Sequence, residues 1–445
     1  MTQTLTRYQQ YESDYKSFED DIGGTQPEWL RTLRLAAWSR FQEIGLPTAR
    51  RGNEPWKYTN VAPIADASPA LATAPADVGL DQIKAVAPWR DDWTNIVFVD
   101  GHYMPGLSNR SADDVVVTSL AEAIASGDGL VRQHLGQAPH MENDDGFVSL
   151  NTAFLRDGTV LHVQAGHTED RPVHLLFASS AAGEVQVSHP RVLVVCDANS
   201  KATIIESFVG LEDTVYFTNA MIEISLAAGA ELEHYRLMLE SEKGFHVGSV
   251  RVQQEADSVY KSMVFERKVG LGRFDLYVNM DGEGSSCILK GLYYTSGSQH
   301  VDNYININHQ KPHGTSRLYY KGILDGKSRA VFGGTVYVQP GAIKTNSHQE
   351  DKNLVLSPDA EVDSKPALFI YADDVICGHG ATAGNIDLDT VFYMRSRGLD
   401  LEAASHLLIY GFAAEIIEAV VDDGLRQYLE KLFLESLPSY KFEFE

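Results

Sequence analysis

Between Phe147 and Asp387 a short turn of small and acidic residues returns at an almost fixed interval. That period constrains the fold more than any other feature of the chain. Asp197-Ala-Asn-Ser-Lys-Ala-Thr-Ile204 is echoed by Ala227-Ala-Gly-Ala-Glu-Leu-Glu-His234, then by Glu255-Ala-Asp-Ser-Val-Tyr260 and Asp281-Gly-Glu-Gly-Ser-Ser-Cys287, starting 30, 28 and 26 residues apart. Around these turns lie short apolar or alternating runs: Val160–Val163, Leu175–Ala178, Val192–Val195, Ala220–Ser225, Val247–Val252, Phe274–Val278, Ile288–Tyr294, Tyr304–Ile307, Ala330–Val338 and Ala367–Tyr371. None sustains a helical period over the roughly ten to twelve residues a helix needs. A turn recurring at this interval between strands marks a β-solenoid, in which no coil closes its own core and each is completed by the next. A β-sandwich with Gly-rich hairpins is the alternative. About 240 residues of strand texture is long for one sandwich, which favours the solenoid.

The flanks read differently. Thr25-Gln-Pro-Glu28 has the pattern of a capping box, with Pro27 where its missing N–H costs nothing. Leu30, Leu33, Ala37 and Phe41 follow at helical spacing beside Trp38, and Gly45-Leu-Pro47 stops the run. Short helices are expected at Leu80–Val86 and Ser119–Ser126, and a strand at Asn95–Val99 turning at Asp100-Gly101. After Asp387 the helical period returns in Leu401, Ala404, Leu408, Phe412, Ile416 and Val420, entered from Asp400 as N-cap, with Gly411 as a bend or break. Gly424 separates this run from Leu425, Tyr428, Leu429, Leu432 and Phe433. These helices either pack on the end of the rod or dock a partner. The expected fold is therefore mainly β: a right-handed parallel β-helix over residues 147–387, a mostly helical N-terminal region over 1–146 and a short helical domain over 388–445.

Charge and motifs narrow the function. Against 37 Lys and Arg stand 61 Asp and Glu, a formal charge of −24, which repels nucleic-acid phosphates and anionic lipid. The first residues carry no apolar run of the signal-peptide kind. The greasiest stretch, His406 to Val421, is broken by Glu415 and Glu418 and falls short of the ~20 residues of a membrane span. Three scattered cysteines, Cys196, Cys287 and Cys377, give neither a disulfide framework nor a four-thiolate site. A reducing cytoplasm is the expected compartment. Cys196 and Cys287 sit in strand-and-turn texture and are expected in the core. Gly322-Ile-Leu-Asp-Gly326-Lys-Ser328 is one residue short of a phosphate loop and lies between strands, so it reads as a turn and no ATP site is expected. Serine-hydrolase elbows and zinc helices are absent from the sequence. Asp373-Asp374 and His348-Gln-Glu-Asp351 could serve a carbohydrate-active β-helix enzyme through grouped carboxylates. His348 alone reads as a solvent-facing turn residue.

The most informative segments are Gly326–Thr335, Lys344–Ser357 and above all Ala360–Gly384, which contains Asp373-Asp-Val-Ile-Cys-Gly-His-Gly-Ala-Thr-Ala-Gly384. Together with Phe392-Tyr-Met-Arg-Ser-Arg-Gly398, Leu407-Leu-Ile-Tyr-Gly-Phe412, Glu54-Pro-Trp-Lys-Tyr-Thr59 and Leu150-Asn-Thr-Ala-Phe154, they resemble the SufB/SufD family of the SUF iron–sulfur cluster assembly system, the D-type branch more than the B-type. The resemblance implies a non-catalytic scaffold subunit that pairs with SufB through the last β-helix strands and whose C-terminal helices grip the ABC-type ATPase SufC. It also implies sulfur delivered from a cysteine desulfurase, and a transient cluster, or iron, shared with the partner subunit. A SufB-like or homodimeric scaffold is the variant of this reading. It places His379 at the subunit interface where the cluster forms. Cys377 lies two residues away and on the same side of an extended strand, either as a second ligand or as a small core residue. Gly378 and Gly380 are expected to clear space for close approach. Leu408, Phe412, Ile416, Leu429 and Phe433 are the expected ATPase-docking surface.

Overall fold

Parallel pairing at a shift of one coil accounts for nearly every strand of the molecule. In the computed structural model, which describes residues 9–22, 26–109, 116–137, 145–180 and 185–437, the chain alternates between two sheets through about eight turns of a β-solenoid. The first sheet runs Glu361–Ser364, Arg329–Val338, His300–His309, Leu271–Met280, Phe245–Gln254, Phe217–Leu226, Arg191–Cys196, Thr159–Val163 and Val116–Ser119. The second runs Ile376–Gly384, Asn346–Val355, Thr315–Leu324, Ser286–Thr295, Val259–Lys268, Glu231–Leu239, Lys201–Gly210, Val173–Ser179, Thr94–Val99 and His102–Tyr103.

The repeated turns stack as the period demands. The N–H of Ala227 donates to the Cys196 carbonyl, Glu255 to Leu226, Asp281 to Gln254, Gln310 to Met280 and Gln339 to His309, each at 2.9–3.0 Å. Each coil's first turn residue is thus fixed by the coil below. Gly229 takes φ +69° directly over Asn199, whose Oδ1 lies 2.4 Å from where a Cβ would stand, so the stacked turn admits no side chain there. Gly322–Ser328 falls at the end of one strand and in the turn to the next, as expected, with Gly326 at φ +66°.

Alternation sends every second side chain into the lumen. Early coils fill it with apolar groups: Phe98 stacks on Phe177 at 5.1 Å and Phe177 on Phe208 at 4.9 Å. Later coils fit larger rings by leaving room beside them. A Cβ on Gly291 would lie 2.2 Å from the Tyr320 ring, and one on Gly322 2.1 Å from Tyr293. Cys196 and Cys287 are buried in this core, as expected.

The N-terminal region is clamped onto the outer face of the first sheet. Trp56 lies over the Arg273 guanidinium at 3.9 Å, Arg273 donates to the Pro55 carbonyl at 2.7 Å and to Asp302 at 2.5 Å, and Thr59 Oγ1 also donates to Asp302. Asn151 donates to the carbonyls of Pro190 and Asn219. Two of the quoted motif segments, 54–59 and 150–154, therefore hold the N-terminal region to the rod. Helix Glu28–Ile44 starts behind Pro27 without a side-chain cap; Thr25 of the expected capping box lies outside the described residues.

Beyond the rod come helices Leu388–Ser396, Leu401–Ile417 and Asp423–Glu435, the last two capped by Asp400 and Asp422. Gly411 sits inside an unbroken helix and Gly424 in a first turn, so neither separates elements as their residue type suggested. The last two helices cover the outer face of the second sheet. Ile409, Ile416, Leu425, Leu429 and Phe433 pack with Tyr235, Leu237, Phe265, Leu292 and Tyr294. No helix among the described residues is long and apolar enough to cross a membrane.

The pairing of Gly291 with Tyr320 gives a test. Gly291→Ala overpacks the lumen and should cost about 1–3 kcal/mol, read as a fall in Tm. Combining it with Tyr320→Leu should return part of that cost. Strictly additive losses would show that ring and glycine do not share the space.

Candidate functional site

The solenoid ends differently at its two ends. At the start, Thr94–Val99 turns back antiparallel into His102–Tyr103, and Val116–Ser119 lies antiparallel on Thr159–Val163. These turned strands end the ladder. At the other end the last strand, Ile376–Gly384, pairs only with Asn346–Val355, so its outer edge is unpaired among the described residues. Around it Phe369, Ile370, Tyr371 and Ile376 are exposed. An unpaired edge rimmed by large apolar side chains is a surface that a monomer ordinarily covers.

Register fixes what this strand presents. Cys377 lies opposite Ser347 and His379 opposite Gln349, both buried and turned into the lumen. Cys377 and His379 therefore share the luminal face of the terminal coil, about 7 Å apart along the strand. His379 is exposed because no further coil covers it, and its Nδ1 lies 3.3 Å from the Gln349 amide nitrogen. Cys377 is half-buried against the apolar core. Burial pushes its thiol up, against a backbone N–H of Ser347 that pulls it down. The glycines have a different place from the one expected. Gly378 and Gly380 face outward over His348 and Glu350, so they open the outer surface and not the ligand face.

Alternation also divides the acidic run. His348 and Glu350 stand outward, 3.3 Å apart, while Gln349 and Asp351 point inward; His348 is exposed as expected, on a strand and not in a turn. Asp374 is tied to Lys344 at 2.5 Å. These carboxylates do not gather on one surface.

The sequence reading missed the polar lumen. Deep in the rod, Arg236 lies between the Phe208 and Phe274 rings at 4.3 and 5.3 Å, donates to Glu206 at 2.9 Å and meets His246 Nε2 at 2.7 Å. Burial pushes Glu206 up, but His234 and Arg236 beside it hold it below the ordinary range. Toward the open end the cations stop. Burial pushes Glu266 up to about 7, with Asn303 at 2.9 Å offsetting only part of that, and pushes Asp351 up to about 6. The signal was present in Asn346–Val355, where Ser347, Gln349, Asp351 and Asn353 alternate as polar inward residues and Gln349 and Asp351 stand over Leu318 and Tyr320 of the coil before.

Of the expected docking residues, Ile416, Leu429 and Phe433 are wholly buried against the rod, so they cannot meet a partner. They correct the expectation because amphipathic spacing does not say which apolar face is already covered. Leu408 and Phe412 are half-buried, and the exposed large apolar side chains described in this segment are Leu388, Phe392, Tyr393, Leu399, Leu407, Val421 and Leu434. Among the described residues no three His, Cys, Asp or Glu side chains converge to hold a metal ion. Cys377 and His379 are thus two ligand-type side chains, too few to hold an ion between them, on an edge unpaired among the described residues.

A pH prediction follows from Glu266. Its folded value lies above its unfolded one, so its stabilising contribution is complete below about pH 4.5 and is lost as pH rises through about 7. Glu266→Gln should remove that loss and leave the variant about 2–3 kcal/mol better off at pH 8, relative to wild type, than at pH 4.5. Parallel denaturation curves for the two proteins across this range would reject the assignment.

Two family models match the chain. The SUF system FeS cluster assembly SufBD core domain covers residues 177–412, and the SufBD protein N-terminal region covers 5–175. Similar proteins include the iron–sulfur cluster assembly protein SufD of Escherichia coli K12, 34% identical over 88% of this chain and 90% of that protein. The SufBD family protein slr0076 of Synechocystis is 31% identical over 90% and 89%. The chloroplastic protein ABCI7 of Arabidopsis thaliana is 30% identical over 92% and 87%. With the two family models together covering most of its length, and relatives aligned over about nine-tenths of it, this chain belongs to the SufBD family of iron–sulfur cluster assembly proteins.

Proposed function

We propose that this chain is a D-type, non-catalytic scaffold subunit of a SUF complex, and that a nascent iron–sulfur cluster or iron ion, its cargo, is held between His379, Cys377 and a partner subunit. The supporting observation is the terminal coil, where two borderline-to-soft ligands share the luminal face of a strand whose outer edge is unpaired. Two ligands are too few for a cluster, so the remainder come from the partner. A SufB-type paralogue with its own unpaired last strand extends the sheet edge to edge and brings those ligands to the same place. Iron enters at this interface, and sulfur arrives from a cysteine desulfurase system through the partner. A neutral imidazole serves as ligand through one ring nitrogen while the other donates its N–H to an acceptor. A reducing cytoplasm keeps the Cys377 thiol free.

The ABC-type ATPase SufC is the proposed partner of the C-terminal helices. Its contact is the exposed strip of Phe392, Tyr393, Leu407 and Leu434 with the half-buried Leu408 and Phe412. A second copy of this chain is the other occupant of the strand edge, since an open last coil is self-complementary about a two-fold axis.

His379→Ala should fold, join its partners and leave the complex's ATPase rate unchanged, yet lower cluster yield in anaerobic reconstitution about tenfold. Undiminished absorbance from the reconstituted mutant complex would remove His379 from the site. For the helices, Leu407→Asp should abolish ATPase co-purification while shifting stability by no more than about 0.5 kcal/mol. Ile416→Ala should cost about 2–4 kcal/mol because its side chain belongs to the rod's core. ATPase retention by Leu407→Asp at normal stability would put the contact elsewhere.

A further inference from the structure

One layer inside His379 the lumen holds acceptor oxygens with nothing to accept from. Gln349 lies directly beneath His379 and Asp351 beneath Ala381, and each is 1% exposed. Asp351 Oδ2 accepts from Asn353 Nδ2 at 2.8 Å, while its Oδ1 has no partner. Ser364 and Tyr293 face this carboxyl without closing to hydrogen-bond distance, the Tyr293 hydroxyl donating instead to Asn353 Oδ1 at 2.5 Å. The Gln349 amide nitrogen donates to the Ala367 carbonyl at 3.2 Å, and its Oε1 is likewise unpartnered. Gly334 leaves that oxygen room, since a Cβ there would stand 2.8 Å from it.

Buried carboxylates are ordinarily matched by a cation. In the middle of the rod Arg236 supplies one to Glu206. In the last coils the basic side chains Lys290, Arg317, Lys321 and Lys352 all stand at outward positions of the second sheet, in register with outward residues. The acidic oxygens therefore face a lumen without a positive charge. The way in is open, because the positions above Asp351 and Asn353 in the last strand are the small, exposed Ala381 and Ala383.

We infer that this layer is a transit site for a divalent cation of the ferrous type, held by the Asp351 carboxylate, the Gln349 amide oxygen and water before it passes to His379. The inference rests on the cluster-site reading of His379 for its direction of travel, but not for the site itself. One carboxylate, one amide oxygen and water form a hard donor set, which suits Mn(II), Fe(II) and Mg(II) and disfavours thiophilic metals. Such a set binds weakly, as a transit site must, and the absence of three converging His, Cys, Asp or Glu side chains among the described residues agrees with that. The imidazole and thiol of His379 and Cys377 are softer. An ion moving outward from oxygen to nitrogen and sulfur goes toward the donors a cluster uses.

The test uses the full chain under anaerobic conditions, with Mn(II) as an electron-paramagnetic-resonance probe and Fe(II) in competition. Wild type should bind one Mn(II) that Fe(II) displaces. Asp351→Asn should weaken it about tenfold or more, and Gln349→Met should weaken it less. Asp351→Asn removes an unpaired buried charge at constant volume, so it should melt no lower than wild type; Gln349→Met gives a second measurement should that variant misfold. His379→Ala should keep Mn(II) affinity within about threefold, because the first ligands lie beneath it. Unchanged affinity in Asp351→Asn, or no binding by wild type at millimolar Mn(II), overturns the site and leaves His379 untouched. Loss of Mn(II) in His379→Ala but not in Asp351→Asn overturns it in favour of the rim. Full cluster yield from His379→Ala, with Mn(II) still dependent on Asp351, retains the site and overturns the cluster reading instead.

Discussion

Every strand in a solenoid must have its backbone donors and acceptors met by the coils on either side, and only the two ends escape that condition. The first end is closed by strands that turn back antiparallel, His102–Tyr103 and Val116–Ser119, with helix Gly146–Ala153 wholly buried nearby. The last end has no such device. Ile376–Gly384 is a full-length strand in register with its neighbour along nine residues, and it stops at an open edge. The location of the candidate site, its missing ligands and its apolar rim all follow from that asymmetry.

Much of this architecture was legible in the sequence because β-solenoid physics is local. The turns at 197, 227, 255 and 281 announce the coil length, and the structure pairs Lys201 with Glu231 and Glu231 with Val259 at that period. Cys377 and His379 could be placed on one face from spacing alone, since alternation in an extended strand leaves no other choice. The same alternation puts Gly378 and Gly380 on the opposite face; which of the two faces is the lumen needed the register. The C-terminal helices show a different limit. Leu408 through Phe433 carry the right period, but periodicity reports an apolar stripe and not what lies against it. Ile416, Leu429 and Phe433 meet the second sheet because that sheet's outer face, with Leu237, Phe265 and Leu292, is itself apolar. Sequence alternation along those strands is weak for this reason: both faces are buried.

Residues Glu54–Thr59 illustrate why a segment diagnostic of the family need not be part of its site. Trp56 and Thr59 grip Arg273 and Asp302 on the outer face of the first sheet, and Lys365 donates to the Glu54 carbonyl at 3.1 Å. The clamp touches two neighbouring strands, Leu271–Met280 and His300–His309, and the link after Glu361–Ser364. It joins the N-terminal region to the later coils on the face away from His379.

The polarity of the lumen changes along the rod in a way that stability alone does not require. Phe98, Phe177 and Phe208 make the early coils self-sufficient, and Arg236 with Glu206 and His246 forms a fully buried, mutually neutralising layer. Among the described residues Glu266 and Asp351 have no ion pair and burial pushes both up, and in Asn346–Val355 the inward residues Ser347, Gln349, Asp351 and Asn353 are polar. In a closed globule such a row would weaken every part of the fold at once. In a stack held by nearest-neighbour contacts it weakens only the coils that contain it. A solenoid can therefore carry uncompensated acids at its open end while the distant coils and the clamped N-terminal region keep the molecule folded. The fold thereby separates the part that supplies stability from the part where an ion is proposed to be received and given up.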